Sequence, residues 1–180
     1  QLPRGGIVHR LDKDTTGIMF VARSHLAHQS LVKQLAARSV QRIYAAVCRG
    51  ALSGGGSVNA PIGRHPTVRT RMAVNEGGKP AITHYRIAER FSHHTSLSVS
   101  LETGRTHQIR VHLASRNNPL IGDPVYGGRP RPPAGANTEL QTALRTFSRQ
   151  ALHAQTLALD HPATGQRCQF ETPLPDDLIQ

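Results

Sequence analysis

Tryptophan is missing from this sequence, aromatic residues reach only 4%, and two cysteines are spread over 180 residues. So few rings exclude a recognition surface built on many aromatic stacking platforms. Cys48 and Cys168 are isolated from one another, which fits a reducing cytoplasm better than a disulfide scaffold. Acid is scarce as well: 11 Asp and Glu stand against 22 Lys and Arg, a formal charge of +11. No stretch offers the roughly 18 consecutive apolar residues of a membrane span, no basic amphipathic helix stands out, and the first residues carry no signal-peptide pattern. A membrane partner is therefore not expected.

The 11 histidines invite a metal reading that their spacing does not support. There is no HExxH and no paired CxxC; His107 and His112, five apart, fall off a shared helical face, and His93 and His94 are neighbours that point oppositely on a strand. Neither a metal nor a cofactor is expected. GDPVYGG (Gly122 to Gly128) is glycine-rich but lacks the GK[ST] ending of a phosphate loop, so it reads as loop architecture.

What is present is positive charge, and a protein with that excess usually meets a polyanion. Nucleic acid is the first candidate. With so few aromatics, recognition would rest on shape and phosphates.

A length of 180 residues suits one domain with a real core. Gly6 to Arg10 and Thr16 to Arg23 read as strands. Ser24 caps a helix through about Arg38 with the apolar stripe Ala27, Leu31, Val32, Leu35 and Ala36. Strands are expected at Gln41 to Gly50, Ser57 to Ile62, Arg71 to Val74 and Pro80 to Arg90. In Thr95 to Leu101, Leu97, Val99 and Leu101 alternate strictly with serines, the mark of a half-buried strand. Thr106 can cap a helix of HQIRVHLAS, and a Pro- and Gly-rich loop covers Pro119 to Gly135. A helix near Thr138 to Phe147 precedes strands at Ala151 to Leu159 and Arg167 to Glu171. Many strands with few helices between them predict an α+β fold with a mixed, largely antiparallel sheet. No internal repeat is visible.

The chain is organised around GIVHRLDKDTTG, Gly6 to Gly17, in which Asp12 lies between Arg10 and Lys13. By residue type alone such an acid is a surface ion pair or an Asx turn. Its surroundings point elsewhere. HRLDKDTTG, RHPTVRT (Arg64 to Thr70), GKPAITHYRI (Gly78 to Ile87), LETGRTHQIRVH (Leu101 to His112), IGDPVYGGRPRPP (Ile121 to Pro133) and RQALHA (Arg149 to Ala154) occur in this order. Together they resemble the RluA-type pseudouridine synthases. The TTG ending, the RHPT segment and the GDPVYGGRPRPP loop are most similar to RluD-like members acting on large-subunit ribosomal RNA. The resemblance implies a curved sheet flanked by helices and crossed by an RNA-binding cleft. Members usually carry an N-terminal S4-like module and an opening strand before HRLD, so residues 1–180 are expected to be a single catalytic domain truncated at its N-terminus.

The resemblance also implies roles. Asp12 would be the nucleophile, Arg110 its partner, and Tyr44 the residue that stacks on the target base. In this family an acidic residue commonly adjoins that Tyr, whereas here Ile43 and Ala45 flank it. A carboxylate in a closed pocket is disfavoured by desolvation, and a neighbouring Arg opposes this while fixing its orientation. Leu152 would lie beneath the base. Arg10 would fill the vacated stack or hold the flipped nucleotide, since a uridine in folded RNA must first be extruded; by residue type alone it is a backbone phosphate contact. Arg64, His65, Arg69, Arg71, Arg105, His107, Arg129 and Arg131 would form a phosphate-binding rim.

The reading is a cofactor-free RNA isomerase, monomeric and cytoplasmic, converting uridine to pseudouridine in ribosomal RNA or its precursor particles. A non-catalytic RNA-binding or ribosome-assembly module on the same scaffold is the alternative, and such a module would not need Asp12, Tyr44 and Arg110 together. A glycosidase would ask for a second carboxylate, for which Asp14 and Glu102 qualify by type.

Overall fold

A computed structural model describes residues 1–129 and 131–179. Nine strands and three α-helices follow in the order β1 (Thr16–Gly17), α1 (His25–Ala36), β2 (Gln41–Arg49), β3 (Gly56–Asn59), β4 (Ile62–Arg64), β5 (Met72–Val74), β6 (Ile82–Arg90), β7 (His94–Leu101), α2 (Gln108–Ser115), α3 (Thr138–Thr146), β8 (Leu152–Asp160) and β9 (Arg167–Glu171). Seven strands form one sheet in the order β1-β8-β2-β7-β6-β3, with β9 also paired to β8, while β4 and β5 make a separate hairpin. Every pairing is antiparallel except β1 with β8. This is the α+β architecture expected from the sequence. No helix among the described residues is long and apolar enough to cross a membrane.

The alternation in β7 works as read: Leu97 and Val99 are 1% and 0% exposed. They join Tyr44, Ala46 and Cys48 of β2 and Leu152 and Ala154 of β8, and α2 covers this face with Ile109 and Leu113. A second apolar cluster gathers Leu157 and Leu159 of β8 with Ala22, Val40 and Leu31 of α1. The Ser24 side chain accepts from Ala27 N at 3.1 Å, so the predicted cap of α1 is present. Its stripe is narrower than expected, because Val32 and Ala36 are exposed. Polar docking replaces the missing apolar contact: the Gln34 amide donates to Asp160 O and accepts from Asp160 N, both at 2.8 Å.

Three sequence expectations change. The strands around HRLD shrink to β1 and a single bridge, Ile7 with Val21. Here Phe20 N donates to the His9 ring Nε2 at 3.1 Å, a side chain standing in for a ladder carbonyl. Burial first, and then the Arg42 charge, push His9 down to about 4, so the ring is neutral and free to accept. The predicted strand Ser57 to Ile62 breaks into β3 and β4 at Ala60 and Pro61, because proline has no N–H for the ladder. Helix α2 is not capped by Thr106: the N-cap is His107, with φ 57° and no capping side chain.

Gly17 fixes the return of the HRLD loop into the sheet. Its φ is +112°, and a Cβ there would lie 2.2 Å from the Ala154 carbonyl oxygen of β8. Gly17→Ala is therefore expected to disrupt the β1–β8 pairing and lower conformational stability by about 2 kcal/mol or more. Equilibrium unfolding in denaturant measures this, and a change within about 0.5 kcal/mol would contradict it.

Candidate active site

The loop that carries Asp12 is tied down on the β8 side. Thr15 N donates to Asp12 O at 3.0 Å, closing a turn, and Asp14 takes a left-handed φ of 67° within it. Buried Gln150 donates from Nε2 to Lys13 O at 2.6 Å and to Thr15 Oγ1 at 2.9 Å. Thr16 Oγ1 and His153 Nδ1 share a further hydrogen bond of 2.8 Å. The backbone on both sides of the turn is thus fixed, and the Asp12 side chain, 14% exposed, faces a cleft.

Arg110, on α2, meets that carboxylate through Nη1 at 3.3 Å. Its tighter attachment is on the other side. Nε and Nη2 donate to Asp123 Oδ2 and Oδ1 at 2.7 and 2.9 Å, a two-point fork of the strong, charge-assisted kind. Asp123 is fully buried as a side chain and Arg110 is 5% exposed. Asp123 Oδ1 also accepts from Val125 N and Tyr126 N at 2.8 and 2.9 Å. Burial would raise the Asp123 pKa, but the Arg110 hydrogen bonds and the two backbone N–H groups outweigh it and hold the carboxyl below its ordinary value. For Arg110 burial is likewise the largest influence, and the two acids reverse it, so its pKa is raised. The cation is permanent, held from behind by Asp123 and aimed at Asp12.

Tyr126 completes this support. Arg110 Cζ lies 5.1 Å from its ring centroid. The Tyr126 hydroxyl accepts from Met72 N at 3.0 Å and shares a 2.9 Å hydrogen bond with His107 Nδ1. The loop read as mere architecture therefore packs two side chains on the arginine.

The cleft has a volume of about 490 Å³, within the usual range of ligand pockets. Tyr44 and Leu152 line it beside Asp12. Both belong to the main apolar cluster, with 7% and 3% exposure. On the paired strands Tyr44 lies opposite Ala154 and Ala46 opposite Leu152, so Tyr44 and Leu152 are diagonal neighbours on one face. Burial pushes the Tyr44 hydroxyl above the ordinary tyrosine range, with Arg42 opposing and Asp12 adding to the shift. Tyr44 is therefore protonated at neutral pH.

Of the remaining sequence-predicted residues, Arg129 and Arg131 do not line the cleft, Arg131 lying instead on a second pocket with Phe147, and the others divide into two groups. Arg10, Arg105 and His107 line the cleft with Asp12. Arg10 is exposed, and Arg105 donates from Nε to Pro80 O at 3.0 Å. His107 is pushed below the ordinary histidine value, chiefly by burial, so it offers a hydrogen bond at neutral pH rather than a charge. Arg64, Arg69 and Arg71 sit on or beside the β4–β5 hairpin, where Arg64 donates to Arg69 O at 3.0 Å. They are not among the residues lining the cleft; the hairpin is tied to the support behind Arg110 by Met72 N, which donates to the Tyr126 hydroxyl. His65 spends its Nδ1 as acceptor for Val68 N at 3.1 Å.

Glu102 is the second acid on the cleft. It pairs with Arg38 at 3.0 Å and His84 at 2.7 Å, and the His84 hydrogen bond is the largest of the influences that lower its pKa. An acid so held has no proton to give, which removes the general acid a glycosidase needs. Asp14 is exposed and does not line the cleft. Among the described residues no group of three His, Cys, Asp or Glu side chains could hold a metal ion.

Reasoning from sequence missed Asp123, Tyr126, Gln108, Gln150 and Arg42. Buried Gln108 accepts from Thr103 Oγ1 and Arg105 N and donates to Ile82 O and Thr83 Oγ1, pinning the start of α2 to β6. A signal for Asp123 did exist: an Asp followed by Pro in a long loop is well suited to cap its own turn with its carboxylate.

The chain is similar to known proteins in sequence and in fold. A family model described as RNA pseudouridylate synthase matches residues 1–115. The chain is 60% identical over 179 residues to the ribosomal large subunit pseudouridine synthase D of Pseudomonas aeruginosa, covering 99% of this chain and 56% of that protein. It is 56% identical to the protein of the same name from Escherichia coli strain K12, again over 99% of this chain and 55% of the relative. The chain thus spans little more than half the length of these relatives. Among solved structures, human RNA Pseudouridylate Synthase Domain Containing 1 superimposes with a TM-score of 0.73 at 26% identity, covering 93% of this chain and 68% of that one. Human RNA Pseudouridylate Synthase Domain Containing 4 shares the fold with a TM-score of 0.75 at 24% identity, covering 96% and 72%. In sequence, in fold and in the family match across its first 115 residues, this chain belongs to the RNA pseudouridylate synthase family.

Proposed function

We propose that the chain is the catalytic part of an isomerase that converts uridine to pseudouridine in large-subunit ribosomal RNA. The observation that carries the proposal is the meeting of Asp12, Arg110 and Tyr44 in one basic cleft: the Asp12 carboxylate lies 3.3 Å from a permanent cation and beside the buried Tyr44–Leu152 face. The names of the relatives support ribosomal RNA as the substrate.

The reaction breaks the bond between ribose and a ring nitrogen, turns the base while it is bound, and rejoins it through carbon. It involves no net redox change. Asp12 is the acid placed to act on the sugar, either by attack at C1′ or by electrostatic support of an oxocarbenium-like state. Arg110 fixes the carboxylate, and Asp123 fixes Arg110. The Tyr44 ring and Leu152 bracket the flat base, and the protonated Tyr44 hydroxyl can donate to it. Arg10 and Arg105 meet the RNA backbone at the mouth of the cleft, where an everted nucleotide enters.

The central test is to incubate the full-length protein and its Asp12→Asn variant with ribosomal RNA lacking modification, then map pseudouridine by carbodiimide-stop sequencing. The variant is expected to bind RNA and form no product. Normal product would remove the catalytic role of Asp12, and binding without product by the unaltered protein would favour a non-catalytic RNA-binding module. Asp123→Asn is expected to lower kcat about 100-fold by loosening Arg110 and to lower stability by about 3 kcal/mol, as when one partner of a buried pair is removed. Single-turnover kinetics and thermal unfolding read the two effects. Affinity for RNA should fall about 1,000-fold between roughly 50 and 200 mM salt if about six phosphates are engaged; a flat response in a filter-binding titration would contradict the basic cleft as the RNA surface.

A further inference from the structure

Arg4 and Arg10 line the cleft as exposed cations, open to water and in none of the ion pairs among the described residues; the other arginines in and around it have partners, with one exception. Arg110 is held by two acids, Arg38 by Glu102, and Arg105 rests on the Pro80 carbonyl. Arg42 lines the same cleft and takes part in none of the ion pairs among the described residues. Its Nε is buried with no hydrogen-bond partner. The residue stands two places before Tyr44 on β2, and both side chains border the cleft.

The surroundings leave room for this guanidinium and supply nothing to neutralise it. Gly104 lies against it, and a Cβ at that position would come within 2.8 Å of Arg42 Nη1. The nearby His9 is neutral, its ring nitrogen already used by Phe20 N. A desolvated, unpaired charge is costly to keep in a fold, and a substrate that brings the missing anion removes that cost on binding. The formal anions of an RNA are its phosphates, and a guanidinium fork fits phosphate in a two-point contact.

Resting on the reading of the cleft as the uridine site, we propose that Arg42 is the seat for a phosphodiester flanking the everted nucleotide. Residues i and i+2 of a strand are about 6.6 Å apart on one face. Tyr44 then meets the base while Arg42 holds the backbone that carries it, and the pair registers one nucleotide on one strand.

The test uses the full-length protein and a ribosomal RNA stem-loop carrying the mapped uridine. Each phosphate flanking that uridine is replaced in turn by a neutral methylphosphonate, and equilibrium binding is measured for the unaltered protein, Arg42→Lys and Arg42→Gln. One replacement is expected to weaken the unaltered protein about tenfold and leave Arg42→Gln unaffected, with Arg42→Lys between them. Equal losses for the unaltered protein and Arg42→Gln at every flanking phosphate would overturn the proposal. Thermal unfolding of the free proteins is the second measurement. Arg42→Gln should match or exceed the unaltered protein, and marked destabilisation would overturn the proposal by making Arg42 a structural residue. Because binding is read without turnover, a failure here is separate from normal product formation by Asp12→Asn, which bears on the catalytic reading.

Discussion

The site depends on how Arg110 is held between two carboxylates. A guanidinium 5% exposed is a costly thing to bury, and replacing such an arrangement with apolar residues is often neutral or stabilising. Its presence is better understood through geometry than through stability. Asp123 takes two of its nitrogens in short bonds, and the backbone of the same loop fixes Asp123. The third nitrogen is left with a longer contact to Asp12. The unequal lengths divide the labour: the rear acid anchors the cation, and the forward acid is held less tightly on the side that faces the cleft.

Much of the fold could be read in the chain. The Leu–Ser alternation of β7, the Ser24 cap, and the bounds of β9 all appear in the structure as the local chemistry required. The failures have specific causes. The segment before Asp12 is not a strand because His9 takes a bond the ladder would have made. Val32 and Ala36 stay exposed because Gln34 docks α1 through the backbone of Asp160. Helix α2 begins on a left-handed His107, a conformation that residue type does not announce.

For the site, the outcome follows the reach of each interaction. Asp12, Tyr44, Leu152, Arg10, Arg105 and His107 were found through motif resemblance, and the structure gathers them on one cleft. Asp123 and Arg42 were not found, because neither is legible along the chain: 13 residues and a loop separate Asp123 from Arg110, and Arg42 is distinguished by a buried nitrogen that has no partner. The charge count pointed to a polyanion without saying where it would lie. The pairing of Glu102 with Arg38 and His84 leaves the positive residues around Asp12 less diluted than the composition alone implies.

Strand β8 lies between β1 and β2. The hinge of the HRLD loop and the strand bearing Tyr44 are therefore separated by two inter-strand spacings, about 10 Å. The span between the foot of that loop at Thr16 and the backbone of Tyr44 is thus a lattice constant of the sheet. Loops at the rim can lengthen or change their charge while that span stays the same.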